Sequence, residues 1–153
     1  MSTQASYTPE EWKVLVHAPA QASMLVINAD KTGGLTGQFG VIQETRDAHT
    51  AVETHARTDT GLVKEVAQAL LDQKSWKPLV EHSTPQSVTQ ALRQADTIVT
   101  SKATPNEVQA YRQYVMDVAR KTASATKESS GVQTSDKEKV ALQQIAGLLQ
   151  LKG

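Results

Sequence analysis

Cysteine is absent from the 153-residue chain, which excludes disulfides, thiolate metal sites and thiol nucleophiles. That absence suits a reducing cytoplasm, the location the sequence leads us to expect. Net charge is absent as well, since sixteen basic residues balance sixteen acidic ones. Bulk electrostatics therefore draws the chain neither to nucleic acid nor to an anionic membrane. The charges are only mildly sorted: residues 1–60 carry seven acids against four bases, and residues 102–153 carry eight bases against five acids. The opening Met1-Ser2-Thr3-Gln4-Ala5-Ser6-Tyr7 has neither the basic region nor the apolar core of a signal peptide, so no targeting segment is expected.

Long uninterrupted apolar runs are missing too. The nearest approach is Trp12 to Ala29, where twelve of eighteen residues are apolar. Its length is close to the roughly 20 residues a membrane span needs. Lys13, His17, Gln21, Ser23 and Asn28 interrupt it, with Pro19 in the middle, and such groups are costly in lipid. The stretch reads as a buried helix of a soluble protein, apolar on every side and covered by other elements. We expect Pro19 to kink it or split it, because proline removes a hydrogen bond and crowds the preceding turn.

No run alternates like a strand. What the chain does contain is a set of helix starts. Thr8-Pro9-Glu10-Glu11 and Thr104-Pro105-Asn106-Glu107 each combine a cap, a proline suited to the first helical position and a capping-box glutamate. Thr84-Pro85 opens another helix, and Ser135-Asp136-Lys137-Glu138 is a third capping box. The expected fold is all-α: a compact bundle of about six helices in a single domain over residues 1–153, organised around the Trp12–Ala29 helix. The first helix stops near Asp30, where Gly33, Gly34, Gly37 and Gly40 form a loop. Helix two runs from about Val41 to Arg57 with a thin apolar side of Val41, Ile42, Ala48 and Val52. Asp59 or Thr60 caps helix three, which buries Leu62, Val63, Val66, Ala67, Leu70 and Leu71. Lys74 to Ser83 is a connector. Helix four buries Val88, Ala91, Leu92, Ala95, Ile98 and Val99, and helix five buries Val108, Tyr111, Val115, Val118 and Ala119. Residues 122–134, rich in Ser, Thr, Lys and Gly, read as a mobile loop. The last helix buries Val140, Ala141, Ile145, Leu148 and Leu149.

Catalytic motifs are the next absence. The glycine loop lacks the Gly-Lys-Ser/Thr ending of a phosphate loop and the preceding strand of a dinucleotide fold. Neither Gly-x-Ser-x-Gly nor His-Glu-x-x-His occurs. No catalytic residue and no cofactor is predicted, and the reading leans away from an enzyme. The most suggestive polar residues lie on helix two: Glu44, Asp47, His49, Glu53 and His55. His49 and Glu53 are four apart, share a helix face and could ligate one divalent metal ion. Asp47, His49 and Glu53 are therefore the candidate metal residues, against the plainer reading of a solvated face with local ion pairs. His17 reads as a core or interface histidine and His82 as an exposed connector residue. Arg112, Arg120, Lys121 and Lys127 with Tyr111 and Tyr114 would make a basic, aromatic surface, but nucleic-acid binders carry a larger charge excess.

Two stretches are similar to a known group. One runs from Tyr7-Thr8-Pro9-Glu10-Glu11-Trp12 to Ile27-Asn28-Ala29-Asp30 and the glycine loop. The other is Tyr114-Val115-Met116-Asp117-Val118-Ala119-Arg120-Lys121 with the Ser135-Asp136-Lys137-Glu138 helix. They resemble small all-helical bacterial proteins without assigned function and, more distantly, the tellurite-resistance TerB-like helical domains. The resemblance implies a helical fold and, through an Ala-Asp-Gly turn in that family, acidic metal binding. Ala29-Asp30 matches that turn, Lys31 stands where the glycine would be, and the next acid is Glu44. The function expected from the sequence is association, as a homo-oligomer or with a protein partner, with metal binding as the alternative. Neither nucleic acid nor membrane is an expected partner, and no small-molecule ligand can be named.

Overall fold

The computed structural model describes residues 4–29, 49–59, 61–72, 85–130 and 136–149. They form a short 3-10 turn, Gln4–Ser6, and six α-helices, with no strand among the described residues. These are α1 (Pro9–Ala29), α2 (residues 49–58), α3 (Gly61–Leu71), α4 (Pro85–Lys102), α5 (Pro105–Ser130) and α6 (Asp136–Leu148). The protein is an all-α bundle.

Three helices begin on the prolines that the sequence marks, Pro9, Pro85 and Pro105, and α6 begins at Asp136. Two of the caps close as reciprocal boxes. Glu11 N–H donates to Thr8 Oγ1 at 3.1 Å while Thr8 N–H donates to Glu11 Oε1 at 2.9 Å. The same exchange joins Thr104 and Glu107, at 3.2 Å in both directions. Each box satisfies donors that the first helical turn leaves without intrahelical partners.

Helix α1 is the centre of the bundle and packs against α3, α4, α5 and α6. Of its described side chains from Glu11 to Val26, only Lys13 is exposed. Leu15, Ala18, Ala22 and Val26 are wholly buried, and full burial of a Leu or Val contributes roughly 1.5–3 kcal/mol. The buried apolar side chains of all six helices join in one contiguous core. The stripes expected on α3, α4 and α5 are buried, with Leu71 and Ala91 only half-buried at the edges. On α2 the buried side is Ala51, Val52 and Ala56.

Of the two effects expected of Pro19, a split does not occur, since α1 is helical without a break from Pro9 to Ala29. Two expectations are corrected. Helix α5 does not stop before Thr122, so the loop expected over 122–134 is helix as far as Ser130. Nothing in that stretch breaks a helix before Gly131, and Thr122, wholly buried, turns its hydroxyl back to the Val118 carbonyl at 2.8 Å. Val140 is not in the core: it is 61% exposed, because the buried stripe of α6 steps in fours through Ala141, Ile145 and Leu149 and leaves Val140 on the far side. Of the two caps expected for α3, Asp59 turns its carboxylate back to His55, and Thr60 lies outside the described residues. The chain passes from α2 to α3 through Gly61 at φ 67°, a left-handed conformation that costs other residues about 1–2 kcal/mol. The glycine loop at 33–40, the residues assigned to helix two at 41–48, the connector at 74–83 and the Ser135 cap lie outside the described residues.

Candidate functional site

The polar side chains with chemical potential fall into four groups. The first is the pair singled out on α2. His49 Nδ1 lies 2.9 Å from Glu53 Oε1, one helical turn away, with both side chains about half exposed at 44% and 51%. Asp47 and Glu44 lie outside the described residues. Among the described residues, no group of three or more His, Asp or Glu side chains is arranged to hold a metal ion.

The second group was not anticipated as a unit. His55, in the last turn of α2, places Nδ1 2.8 Å from Asp59 Oδ2 and Nε2 3.2 Å from Asp117 Oδ2 on α5. Its ring meets Tyr114 edge to face, with centroids 5.0 Å apart. The ring is 18% exposed, and the carboxylates are 30% and 42% exposed. Asp117 also faces Arg120 Nη1 at 3.8 Å, and the Thr58 hydroxyl lies 3.3 Å from Asp59 Oδ1. The two carboxylates lie against different ring nitrogens, so this set does not converge on one point as metal ligands must. Tyr114, beneath the ring, is wholly buried, and its hydroxyl has no hydrogen-bond partner among the described residues. Burial, reinforced by the Asp59 carboxylate, pushes its phenol far above the ordinary range.

The third group is a buried ion pair. Arg112 on α5 donates to Asp96 on α4 from Nε to Oδ1 at 2.7 Å and from Nη2 to Oδ2 at 3.2 Å, with side-chain exposures of 9% and 4%. The fork geometry matches guanidinium to carboxylate and leaves little of either charge unsatisfied. This overturns the basic, aromatic surface considered for helix five, because Arg112, Tyr111 and Tyr114 all face inward. Arg120 and Lys121 are exposed; Lys127 is a position whose side chain lies outside the description.

The fourth group concerns α1 itself. Tyr111 Oη, wholly buried, donates to the backbone carbonyl of Leu15 at 2.8 Å. In a regular helix that carbonyl accepts from the N–H four residues on, and here that residue is Pro19, which has none. A tyrosine from α5 thus supplies the donor that the proline removes. Burial holds the Tyr111 phenol protonated well above its ordinary value, with the neighbouring Tyr114, Asp96 and Tyr7 adding to the effect. At the other end of α1, Lys102 from the last turn of α4 bonds Glu11 and lies 5.8 Å from the Tyr7 ring centroid. That ammonium holds the Glu11 carboxyl below its ordinary value, and the Thr8 backbone N–H lowers it further. Each charge also sits at the helix end whose dipole favours it.

Sequence spacing could have flagged His55 with Asp59, four apart on a helix. Asp117, Asp96 and Leu15 meet their partners across 62, 16 and 96 residues of chain, and no local pattern predicts such meetings. No helix among the described residues is long and apolar enough to cross a membrane. No family model, no curated protein and no solved structure matches the chain.

Proposed function

We propose that this protein is a non-enzymatic, cytoplasmic helical protein that acts by association, with a second copy of itself or with another protein surface. The observation carrying the reading is how its inward polar side chains are used. Arg112 binds Asp96, Tyr111 binds the Leu15 carbonyl, and His55 binds Asp59 and Asp117. Each of these contacts fastens one helix to another or closes a helix end, and none leaves a nucleophile beside a free base. Among the described residues, what remains to act is the outer surface. Val140, Gln144 and Gly147 share one outward face of α6, and a Cβ built at Gly147 meets nothing within 4 Å. A partner helix can approach closely along such a strip.

Sedimentation or native mass spectrometry across concentration tests the reading. A mass that rises above the 16.5 kDa of one chain and falls back in Val140→Asp is the expected result. A monomer at high micromolar concentration, with no protein co-purifying, refutes it. The second reading is a divalent-metal protein of TerB-like kinship, favoured by the exposed His49–Glu53 donor pair, with Asp47 as the third candidate residue named from the sequence. It requires a stoichiometric metal in the native spectrum that His49→Ala or Glu53→Ala removes.

A further inference from the structure

The segment ahead of α1 is anchored to the bundle by a single aromatic ring. Of the described side chains from Ala5 to Glu10, only Tyr7 is buried, at 7% exposure, while Ala5, Ser6, Thr8, Pro9 and Glu10 face solvent. The Tyr7 ring packs tilted against Trp12, with centroids 5.9 Å apart. Tyr7 precedes the Thr8 cap and Trp12 is the fourth residue of α1, so the pair forms the apolar staple that often accompanies a capping box. A staple needs nothing beyond its own helix, yet here two other helices take part. Lys102, in the last turn of α4, sets its ammonium 5.8 Å from the Tyr7 ring centroid, within the range at which a cation is drawn to an aromatic face. The Tyr7 phenol also lies near enough to Tyr111 on α5 to help hold that hydroxyl protonated.

The Lys102 ammonium has a second partner, Glu11 Oε1, the same oxygen that accepts from the Thr8 N–H. Thr8 is the joint between the segment and α1, and the proline after it biases its backbone toward extended conformations. One cation thus touches both the anchoring ring and the carboxylate that fixes the joint. It reaches them from 91 residues along the chain, and its side chain is 35% exposed, so dissolved ions have access to it.

We propose that residues 4–7 are a strap across the end of the bundle where Trp12, Lys102 and Tyr111 meet, and that Lys102 is the clasp that holds it shut. Closed, the strap keeps the Trp12 ring at 9% exposure. Removing or screening the charge of the clasp lets Tyr7 swing away and uncovers that ring, while the helices beneath stay packed. The device is local to this end of the bundle and independent of any association along α6.

The test is chymotrypsin cleavage of the full-length chain after Tyr7 under native conditions. The buried ring enters the protease only when the strap is open, so the rate follows the open population. Lys102→Met keeps most of the stem and removes the charge. It should speed cleavage after Tyr7 roughly tenfold, the combined worth of an exposed cation–π contact and an exposed ion pair. Cleavage after Tyr111 and Tyr114, wholly buried in α5, should not change. An unchanged rate after Tyr7 in Lys102→Met overturns the proposal. So does a rise at all three tyrosines together, which reports loosening of the whole fold. Should Lys102→Met fail to fold, the wild type decides. Raising salt from about 0.05 M to about 1 M screens exposed charges and should speed cleavage after Tyr7 relative to a free peptide of residues 4–11. A ratio that does not move with salt overturns the proposal as well.

Discussion

Tyr111→Phe removes one oxygen, and its cost should depend on a residue in another helix. The Tyr111 hydroxyl donates to the Leu15 carbonyl at 2.8 Å in a wholly buried position. Because residue 19 is proline, that carbonyl has no donor from its own helix four residues on. Deleting the hydroxyl therefore strands a buried acceptor, and the penalty should approach the desolvation cost of about 1–3 kcal/mol rather than the smaller net worth of a replaceable hydrogen bond. In a Pro19→Ala background the alanine N–H can take up the Leu15 carbonyl, and Tyr111→Phe should then cost about 1 kcal/mol less. Four proteins close the cycle: wild type, both single variants and the double variant, each unfolded in urea and followed by far-ultraviolet circular dichroism. Pro19→Ala alone combines a better helix former with a lost buried ring, so its own sign is not diagnostic. The coupling between the two positions is the diagnostic quantity. A Tyr111→Phe penalty equal in both backgrounds within about 0.5 kcal/mol would refute the idea that the tyrosine stands in for the missing N–H.

Asp96→Ala should destabilise by about 3–5 kcal/mol, because it leaves the buried Arg112 guanidinium uncompensated. Asp96→Leu combined with Arg112→Met should recover most of that loss in urea unfolding, and a single-variant cost below about 1 kcal/mol would show the pair to be solvated. Gly61→Ala forces a side chain to φ 67° and should cost about 1–2 kcal/mol. Thermal unfolding should register it as a fall in Tm of roughly 2–4 °C per kcal/mol, and an unchanged Tm would mean that the turn relaxes freely. The Glu11 carboxyl is held below its ordinary value of 4.5 by Lys102 and the Thr8 N–H. Its contribution is therefore present above that value and lost as pH falls through the lowered one. Acid unfolding of Glu11→Gln should accordingly be less steep with pH than that of wild type, and identical slopes would remove Glu11 from the account.

The class and the layout of the helices were legible in the chain because their causes are local. Thr8-Pro9-x-Glu11 and Thr104-Pro105-x-Glu107 satisfy their own backbone donors within one turn, and the stripe of α3 repeats at the helical period whatever it packs against. The all-round apolarity of α1 likewise announced a helix covered on every side, as its contacts with α3, α4, α5 and α6 bear out. Where local patterns misled, a neighbour decided. Val140 continues an apolar sequence but not the buried stripe, and residues 122–130 have loop-like composition but no breaker to end α5. Proline's effect at position 19 depended on whether anything would satisfy Leu15, and only the fold brings Tyr111 there. The same holds for Asp96 with Arg112 and for Asp117 with His55. Periodicity and capping act within a few residues, so the sequence by itself determines helices, their starts and their apolar faces. Which buried polar group meets which depends on how those helices cross, and that was decided by tertiary packing alone.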